Sequence, residues 1–198
     1  MASLTNRVAL VTGGSRGIGR AVALALANAG ASVAVNYRER TDAARAVVDA
    51  IRSSGGRAMA VGADVSRSAE VSAMVSAVAG ELGPIDVLVN NAGIALIRGV
   101  DDLTETDFDT TIAVNLKSAF LCTQAVVSAM RAQKWGRIVN LVGSSEPMDF
   151  GIEYAASGAL QGWSKGLSRG IGKHGITINC IQPGIIKGTA AVKTYKHM

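Results

Sequence analysis

A glycine-rich stretch decides the fold of this sequence: Thr12-Gly13-Gly14-Ser15-Arg16-Gly17-Ile18-Gly19. It follows a short aliphatic run at residues 7–11 and opens a helical pattern. In such a strand–turn–helix unit, glycines permit a tight turn and close approach of the backbone to a pyrophosphate. The N-terminus of the helix then offers unpaired N–H groups to the phosphates. A glycine-rich turn without a ligand is the alternative, but the strand before it and the helix after it favour a dinucleotide-binding turn.

Short aliphatic runs alternate with longer helical patterns along the rest of the chain. Strands are predicted at residues 7–11, 32–36, 57–61, 85–89, 137–142 and 177–181. Helices are predicted at residues 17–29, 41–53, 69–82, about 107–133 and 155–173. This alternation indicates βαβ units, and right-handed crossovers then predict an α/β fold. We expect a Rossmann-type, doubly wound parallel sheet in the order 3-2-1-4-5-6, with helices on both faces, in a single domain over residues 1–198.

Composition narrows the class of protein. Hydrophobic residues make up 48% of the chain and aromatic residues only 4%, as is typical of α/β proteins with aliphatic buried strands. The net charge is +5, but the basic residues are scattered without interleaved aromatic residues, so we expect no nucleic-acid partner. Cys122 and Cys180 lie in apolar stretches, which predicts buried thiols and no metal site. We expect no signal peptide and no membrane span, and hence a cytoplasmic protein.

Further motifs follow the glycine turn in a fixed order. Asn90-Asn91-Ala92-Gly93 comes after the fourth predicted strand, Asn115 lies in the next helix, Tyr154 begins the last helix, and Pro183-Gly184 follows the sixth strand. With Thr12 and the Gly-x-x-x-Gly-x-Gly spacing, these motifs resemble the short-chain dehydrogenase/reductase family over essentially the whole chain. The 3-oxoacyl-[acyl-carrier-protein] reductase-like members are closest in texture. The resemblance implies an oxidoreductase that moves hydride between a nicotinamide cofactor and a carbonyl or hydroxyl group.

The end of the second predicted strand indicates which nicotinamide cofactor binds. Many NAD-binding proteins place an acidic residue there, whereas this sequence has Asn36, Tyr37 and Arg38. Asn36 would not repel a 2′-phosphate, and Arg38 together with Arg16 could bind one. The sequence therefore favours NADP(H) over NAD(H). By resemblance, the other cofactor-binding residues are Gly13, Ser15, Gly17, Ile18, Gly19, Asp64 and Val65 (both at the adenine), Asn91, Ala92, Gly93, Pro183, Gly184 and Ile186.

The resemblance also implies a set of catalytic residues. In the family, a Tyr gives a proton to the substrate carbonyl, a Ser polarises that carbonyl, and an Asn in the preceding helix holds a water. Tyr154 and Asn115 match by position, and Ser144 is the preferred serine, with Ser145 as the substitute. Two other readings stay open on the residues alone: Asn115 as a partner of backbone groups, and Tyr154 as an amphipathic surface residue.

The Lys that the family places four residues after the Tyr is absent, and Gly158 stands there as if one residue were deleted. Lys165 lies about 16 Å further along the helix, too far to replace it. A deletion rotates the downstream helix by about 100° relative to Tyr154. We therefore expect Tyr154 to point away from the site, unless the helix starts late or bulges. An apolar stripe should still face the core: Ala156, Leu160, Trp163, Leu167 and Ile171.

Three hypotheses about function follow from these departures. The first is an NADPH-dependent carbonyl reductase that uses Tyr154, Ser144 and Asn115. The second is a catalytically impaired NADP-binding protein or scaffold, and the third is that the natural protein contains residues that this sequence omits. The loop before Tyr154 is shorter than in the family, and the usual seventh strand is not expected within 198 residues. The resemblance implies a homodimer or homotetramer built on the long helices, whereas the substrate is not revealed.

Overall fold

Within the residues that the computed structural model describes (3–96, 98, 100–143, 151–184 and 186), six strands form one parallel sheet. The strands are β1 (Val8–Val11), β2 (Ser32–Tyr37), β3 (Ala58–Gly62), β4 (Val87–Asn90), β5 (Gly136–Leu141) and β6 (Ile176–Ile181). Their order is β3-β2-β1-β4-β5-β6, which confirms the predicted topology. Each predicted strand differs from the observed one by no more than two residues at either end.

Helices cover both faces of the sheet. They are α1 (Gly17–Asn28), α2 (Thr41–Ser53), α3 (Ser68–Glu81), α4 (Glu105–Ile112), α5 (Ser118–Gln133) and α6 (Gly151–Ile171). The single helix predicted at 107–133 is divided, because the π-helical turn Ala113–Lys117 separates α4 from α5. A 3₁₀ turn, Gly172–His174, follows α6 and leads into β6.

Two apolar layers form the core, one on each face of the sheet. Successive strand residues point to opposite faces, so Leu10 packs in the layer that α3 and α5 cover. Its neighbour Val11 packs in the layer that α1 and α2 cover. Both layers exclude water, which explains why the strands are continuous aliphatic runs and not alternating ones.

The two cysteines differ in their surroundings. Cys122 is fully buried, and burial raises the pKa of its thiol to about 12, so the thiolate is not formed at neutral pH. Cys180 is half-buried, with its Sγ 3.4 Å from the Ser164 hydroxyl oxygen. Both are free thiols. The prediction of buried thiols is therefore correct for Cys122 and only partly correct for Cys180.

One segment of the described chain, Glu105–Gln133, is long and apolar enough to cross a membrane by length and composition alone. Core helices that pack on a sheet pass the same test. In α5, Cys122, Val126 and Met130 are buried in the layer that contains Leu88 and Ile138 of the sheet. Packing against the sheet accounts for the apolar residues on this side of the helix.

Helix α6 begins four residues earlier than predicted, so Tyr154 is its fourth residue and not its first. The predicted apolar stripe faces the core: Ala156, Leu160 and Ile171 are buried, and Trp163 and Leu167 are partly buried. Ile152 is also buried, one turn before Ala156, and it extends the stripe into the first turn. The apolar stripe therefore contacts the core from the first turn of α6 to its last.

Candidate active site

A cleft of about 340 Å³ opens at the carboxyl ends of β1, β2, β3 and β4, where the order of strands reverses. This is the place where doubly wound sheets bind ligands. Residues from five segments line it: Gly13, Ser15, Arg16, Gly17, Ile18; Asn36, Tyr37, Arg38, Glu39, Arg40; Ala63, Val65; Asn91, Ala92, Gly93, Ile94; and Val114. Sequence reasoning missed Glu39, Arg40, Ala63, Ile94 and Val114, although each directly follows or precedes a predicted motif or lies within two residues of one.

The glycine turn between β1 and α1 is shaped for a phosphate group. Gly13 and Gly17 adopt φ values of +61° and +54°, which favour glycine. The helix starts after Arg16 without a side-chain cap, and its first turn contains no acidic residue. The first N–H groups of α1 are thus left for a ligand, and the helix dipole favours an anion there. A pyrophosphate fits this turn.

Gly19 does not line the cleft, but it sets the shape of the turn from behind. A Cβ at this position would overlap the carbonyl oxygen of Gly13 and lie 2.5 Å from Nδ2 of Asn91. Asn91 Nδ2 in turn donates to the carbonyl oxygens of Thr12 (2.8 Å) and Gly13 (3.1 Å). The Thr12 hydroxyl oxygen accepts from the N–H groups of Asn91 and Ala92. The turn and the loop after β4 are therefore held together as one unit.

Asn36 has a structural role that the sequence did not reveal. Its side chain is buried, and its Oδ1 accepts a hydrogen bond from the Gly13 N–H at 3.2 Å. Its Nδ2 donates to the Ala63 carbonyl oxygen at 3.1 Å. Asn36 thus ties the glycine turn to the chain that leaves β3. Asn36 is uncharged and lines the cleft at the end of β2, where an acidic residue would repel a 2′-phosphate.

Four charged residues line the cleft, three of them from the segment that follows β2. Arg16, Arg38 and Arg40 line it together with Glu39. Asp64, expected at the adenine, does not line the cleft, because its carboxylate turns towards the start of α3 and accepts from the Ser66 hydroxyl and N–H. Burial raises the pKa of Asp64, but the bonds from Ser66 and the nearby charges of Arg38 and Arg67 outweigh burial and lower it overall.

Asn115 lies in the π-helical turn and holds the loop after β4. Its Oδ1 accepts from the Ile94 N–H and its Nδ2 donates to the Ile94 carbonyl oxygen, both at 2.9 Å. The side-chain amide is therefore engaged with backbone groups. Isolated π-turns within α-helices are frequent at functional sites. Here the π-turn places Val114 in the lining of the cleft and places Asn115 in contact with Ile94, in the loop that follows β4.

Tyr154 lies on the solvent side of α6 and does not line the cleft; its side chain is 44% exposed. A Cβ on Gly158, one turn later, would meet nothing within 4 Å. The neighbouring positions of α6 contact the segments that follow β4 and β5 instead. Glu153 accepts a hydrogen bond from the Leu96 N–H in the loop after β4, and the Ser157 hydroxyl accepts one from the Gly143 N–H at 3.0 Å. Positions 153 and 157 therefore face the ends of β4 and β5.

Five other residues that the sequence offered for the site lie apart from the cleft or outside the described chain. Pro183, Gly184 and Ile186 follow β6 and do not line the cleft. Ser144, the preferred catalytic serine, and its substitute Ser145 lie outside the described residues. Ser157 is a hydroxyl near the end of β5 that sequence reasoning missed, because the contact depends on the rotation of α6.

The half-buried Glu153 provides a test of this geometry. Burial raises the pKa of its carboxyl, although the Leu96 hydrogen bond acts in the opposite direction. A folded-state pKa above the unfolded one means that ionisation destabilises the fold above that pKa, and the cost disappears as the pH falls below the unfolded-state value. We expect Glu153→Gln to raise the Tm at neutral pH by on the order of 2 °C, with solvent screening keeping the effect small. Thermal melts should show the difference vanish by about pH 4; an unchanged or lowered Tm at neutral pH would contradict the assignment.

A doubly wound sheet with an uncapped glycine turn at its switch point defines the class of dinucleotide-binding α/β proteins. A family model described as short chain dehydrogenase matches residues 7–198. The chain belongs to the short-chain dehydrogenase family, and it is an oxidoreductase.

Individual relatives agree with this assignment. A 3-oxoacyl-[acyl-carrier-protein] reductase of Synechocystis sp. is 41% identical over 190 residues, which cover 94% of this chain and 76% of that protein. The (2S)-[(R)-hydroxy(phenyl)methyl]succinyl-CoA dehydrogenase subunit BbsD of Thauera aromatica is 40% identical over 92% of this chain and 74% of its own length. The hypothesis of a catalytically impaired scaffold gains no support from these matches.

A solved structure supports the class of cofactor. A metagenomic short-chain oxidoreductase in complex with NADP superimposes with a TM-score of 0.87 at 34% identity, covering 92% of this chain and 84% of that one. The matching family and the NADP-bound structural neighbour support a nicotinamide cofactor for this enzyme.

Proposed function

We propose that this enzyme depends on NADP(H) and reduces the carbonyl group of a 3-oxoacyl-type substrate, or oxidises the corresponding alcohol. One observation carries the choice of NADP(H): Arg16 and Arg38 both line the cleft, and the neutral Asn36 stands where many NAD-binding proteins have an acidic residue. Guanidinium groups suit a 2′-phosphate through paired charge-assisted hydrogen bonds.

The residues of the cleft divide among the parts of the cofactor. The glycine turn (Gly13, Ser15, Arg16, Gly17, Ile18, with Gly19 behind it) would hold the pyrophosphate. Tyr37, Ala63 and Val65 would contact the adenosine, and Asn91, Ala92 and Gly93 would border the ribose. Asp64, Pro183, Gly184 and Ile186 remain proposed on the family pattern alone. When bound, the nicotinamide supplies or accepts the hydride.

We assign the proton chemistry to three residues on the family pattern. Tyr154 would exchange a proton with the substrate oxygen, and Ser144 would polarise the carbonyl. Asn115 would act by fixing Ile94 and the loop beside the reacting groups. In the described structure, the Tyr154 side chain is exposed and does not line the cleft, so proton transfer from it requires a different orientation.

The names of two relatives support an acyl substrate on a carrier. One describes a 3-oxoacyl group on acyl-carrier protein and the other an acyl group on coenzyme A. Because both relatives resemble this chain to a similar extent, we propose the shared chemistry, a carrier-bound acyl group with an oxygen to be reduced or oxidised. The other substrate that this proposal allows is a small carbonyl compound that is not attached to a carrier.

The preference for NADP(H) is tested by removing one guanidinium. We expect Arg38→Gln to weaken NADPH binding about tenfold, because one charged partner of the 2′-phosphate is lost. NADH binding should change less than about twofold, since NADH lacks that phosphate. Fluorescence titrations of both nucleotides provide the measurement. Arg45→Gln, an equal charge change on exposed α2, is the control. Equal losses for NADPH and NADH would overturn the assignment.

We also propose a cytoplasmic, single-domain enzyme that forms a homodimer or homotetramer through its long helices. Support comes from a mainly apolar patch between the end of α4, the π-turn, α5 and α6. It is lined by Ile112, Leu116, Phe120, Ala159 and Trp163, with Lys117 among them. Phe120 is 43% exposed and meets Trp163 edge to face at 6.2 Å. Exposed aromatic side chains in an apolar setting are enriched at association surfaces.

Charge in this patch should abolish association. We expect light scattering to give two or four times the chain mass of 20.3 kDa for the unmodified protein. Phe120→Asp should give the mass of one chain, because a desolvated carboxylate is strongly disfavoured at an interface. Val100→Asp, at another exposed apolar side chain, is the control. A monomeric unmodified protein, or an unchanged mass for Phe120→Asp, would exclude this surface.

A further inference from the structure

Arg38, which lines the cleft just after β2, already has an anionic partner. Its Nη2 lies 2.7 Å from Oε1 of Glu39, and its Nε donates to the same oxygen at 3.0 Å. These two nitrogens form the side edge of the guanidinium, which is one of the edges that can grip a phosphate or carboxylate in paired fashion. Glu39 itself lines the cleft and is 73% exposed. A carboxylate therefore stands at the place proposed for the 2′-phosphate.

The wider charge balance points in the same direction. Arg38 is also close enough to Asp64 to lower the pKa of that carboxyl, so two acidic groups share its charge. Asp64 has further partners in Ser66 and Arg67, whereas the described ion pair of Glu39 is with Arg38. Removing Glu39 would release Arg38 without breaking another described ion pair. Removing Asp64 would disturb the start of α3.

We infer that Glu39 determines cofactor specificity by competing with the 2′-phosphate of NADP(H) for Arg38. This inference rests on the proposed NADP(H) dependence. A phosphate that uses the side edge of Arg38 displaces the Glu39 carboxylate, and one that uses the other edge meets a guanidinium whose charge is already balanced. In both cases Glu39 lowers the affinity for NADP(H) and leaves NAD(H), which lacks the phosphate, unaffected. The Arg38–Glu39 ion pair thus reduces the difference between the affinities for NADP(H) and NAD(H).

The experiment compares Glu39→Gln with the unmodified protein in calorimetric titrations with NADPH, NADH and adenosine 2′,5′-bisphosphate. The bisphosphate carries the 2′-phosphate without the nicotinamide, so it reports on this part of the cleft independently of turnover. Asp49→Asn, on the exposed side of α2, gives the same change in net charge away from the cleft. Repeating Glu39→Gln in an Arg38→Gln background separates competition for Arg38 from general repulsion.

We expect Glu39→Gln to tighten NADPH and bisphosphate binding roughly fivefold, the range of an exposed ion pair, with NADH changed less than about twofold. Asp49→Asn should have no such effect, and without Arg38 the gain should fall below about twofold. If the unmodified protein prefers NADPH but Glu39→Gln does not tighten it, or tightens NADH equally, the inference fails while the proposed function stands.

The remaining outcomes also separate the two claims. If the unmodified protein has no preference and Glu39→Gln creates one for NADPH, the inference stands and the NADP(H) dependence of the natural enzyme fails. If neither protein binds NADPH or the bisphosphate, both claims fail. Circular dichroism of each variant establishes that it is folded before binding is compared.

Discussion

Gly19→Ala is expected to weaken NADPH binding roughly 100-fold, because one methyl group at this position opens the phosphate-binding turn. The added Cβ would overlap the Gly13 carbonyl oxygen and come 3.0 Å from the Gly14 Cα. Both are backbone atoms, so the strain cannot be relieved by turning a side chain. Overpacking of this kind costs about 1–3 kcal/mol. The turn must move, and the N–H groups that would hold the pyrophosphate move with it.

A second glycine serves as the matched control. Gly80 lies in α3, and a Cβ there would meet nothing within 4 Å. Gly80→Ala should therefore bind NADPH as the unmodified protein does, with a gain in helix stability of up to about 1 kcal/mol. Fluorescence titration measures the binding, and thermal melts show whether each variant is folded. A folded Gly19→Ala protein with unchanged NADPH affinity would show that the turn does not hold the pyrophosphate.

Inserting one Lys between Ser157 and Gly158 is expected to raise kcat for carbonyl reduction by about 100-fold or more. After Gly158, α6 is held in the core by Leu160 and Ile171 and by the partly buried Trp163 and Leu167, whereas before it the buried core residues are Ile152 and Ala156. We expect the longer, more strongly packed part to keep its place and the insertion to rotate the first turns. Each residue before the insertion then moves one position along the helix. Tyr154 moves to the position of Glu153, which contacts Leu96, and the new Lys takes the position of Ser157, which contacts Gly143.

The insertion thus brings a phenol and an ammonium group, one helical turn apart, to the ends of β4 and β5. Proton transfer by a positioned acid contributes a factor of about 10² to 10⁴ to a rate. An Ala insertion at the same place is the control, because it moves Tyr154 in the same way but adds no charge. Steady-state kinetics with a 3-oxoacyl thioester should rank Lys insertion above Ala insertion. A folded Lys-insertion variant with unchanged kcat would show that the register of α6 does not limit the chemistry.

Most of the fold was predictable from the sequence because its signals are local. The aliphatic runs set the strands, and the glycine turn with right-handed crossovers set their order. The outward rotation of Tyr154 was also predictable, since one missing residue turns a helix by about 100°. The π-turn at Ala113–Lys117 was not, because no residue type in it signals i→i+5 bonding.

The details of the site depended on contacts between distant segments. Asn36 is buried beneath the glycine turn because β2 pairs with β3 and brings the Ala63 carbonyl within reach. The Asp64 carboxylate turns away from the cleft because it accepts hydrogen bonds from the N–H and hydroxyl groups of Ser66, two residues later. Glu39 is adjacent to Arg38 in the sequence, but only the structure shows that its carboxylate forms an ion pair with the Arg38 guanidinium. The residue types in the motifs predicted which side chains lie near the cleft. The structure was needed to show which of these side chains bind one another.

The central claim is that the cleft of this oxidoreductase binds NADP(H), and titrating the unmodified protein with NADPH while following the fluorescence of the nucleotide tests it most directly. We expect saturable binding of one NADPH per chain, tighter than that of NADH, weakened roughly 100-fold in Gly19→Ala and unchanged in Gly80→Ala. A folded protein that shows no saturable NADPH binding, or that binds NADPH equally well with and without the methyl group at position 19, would contradict it.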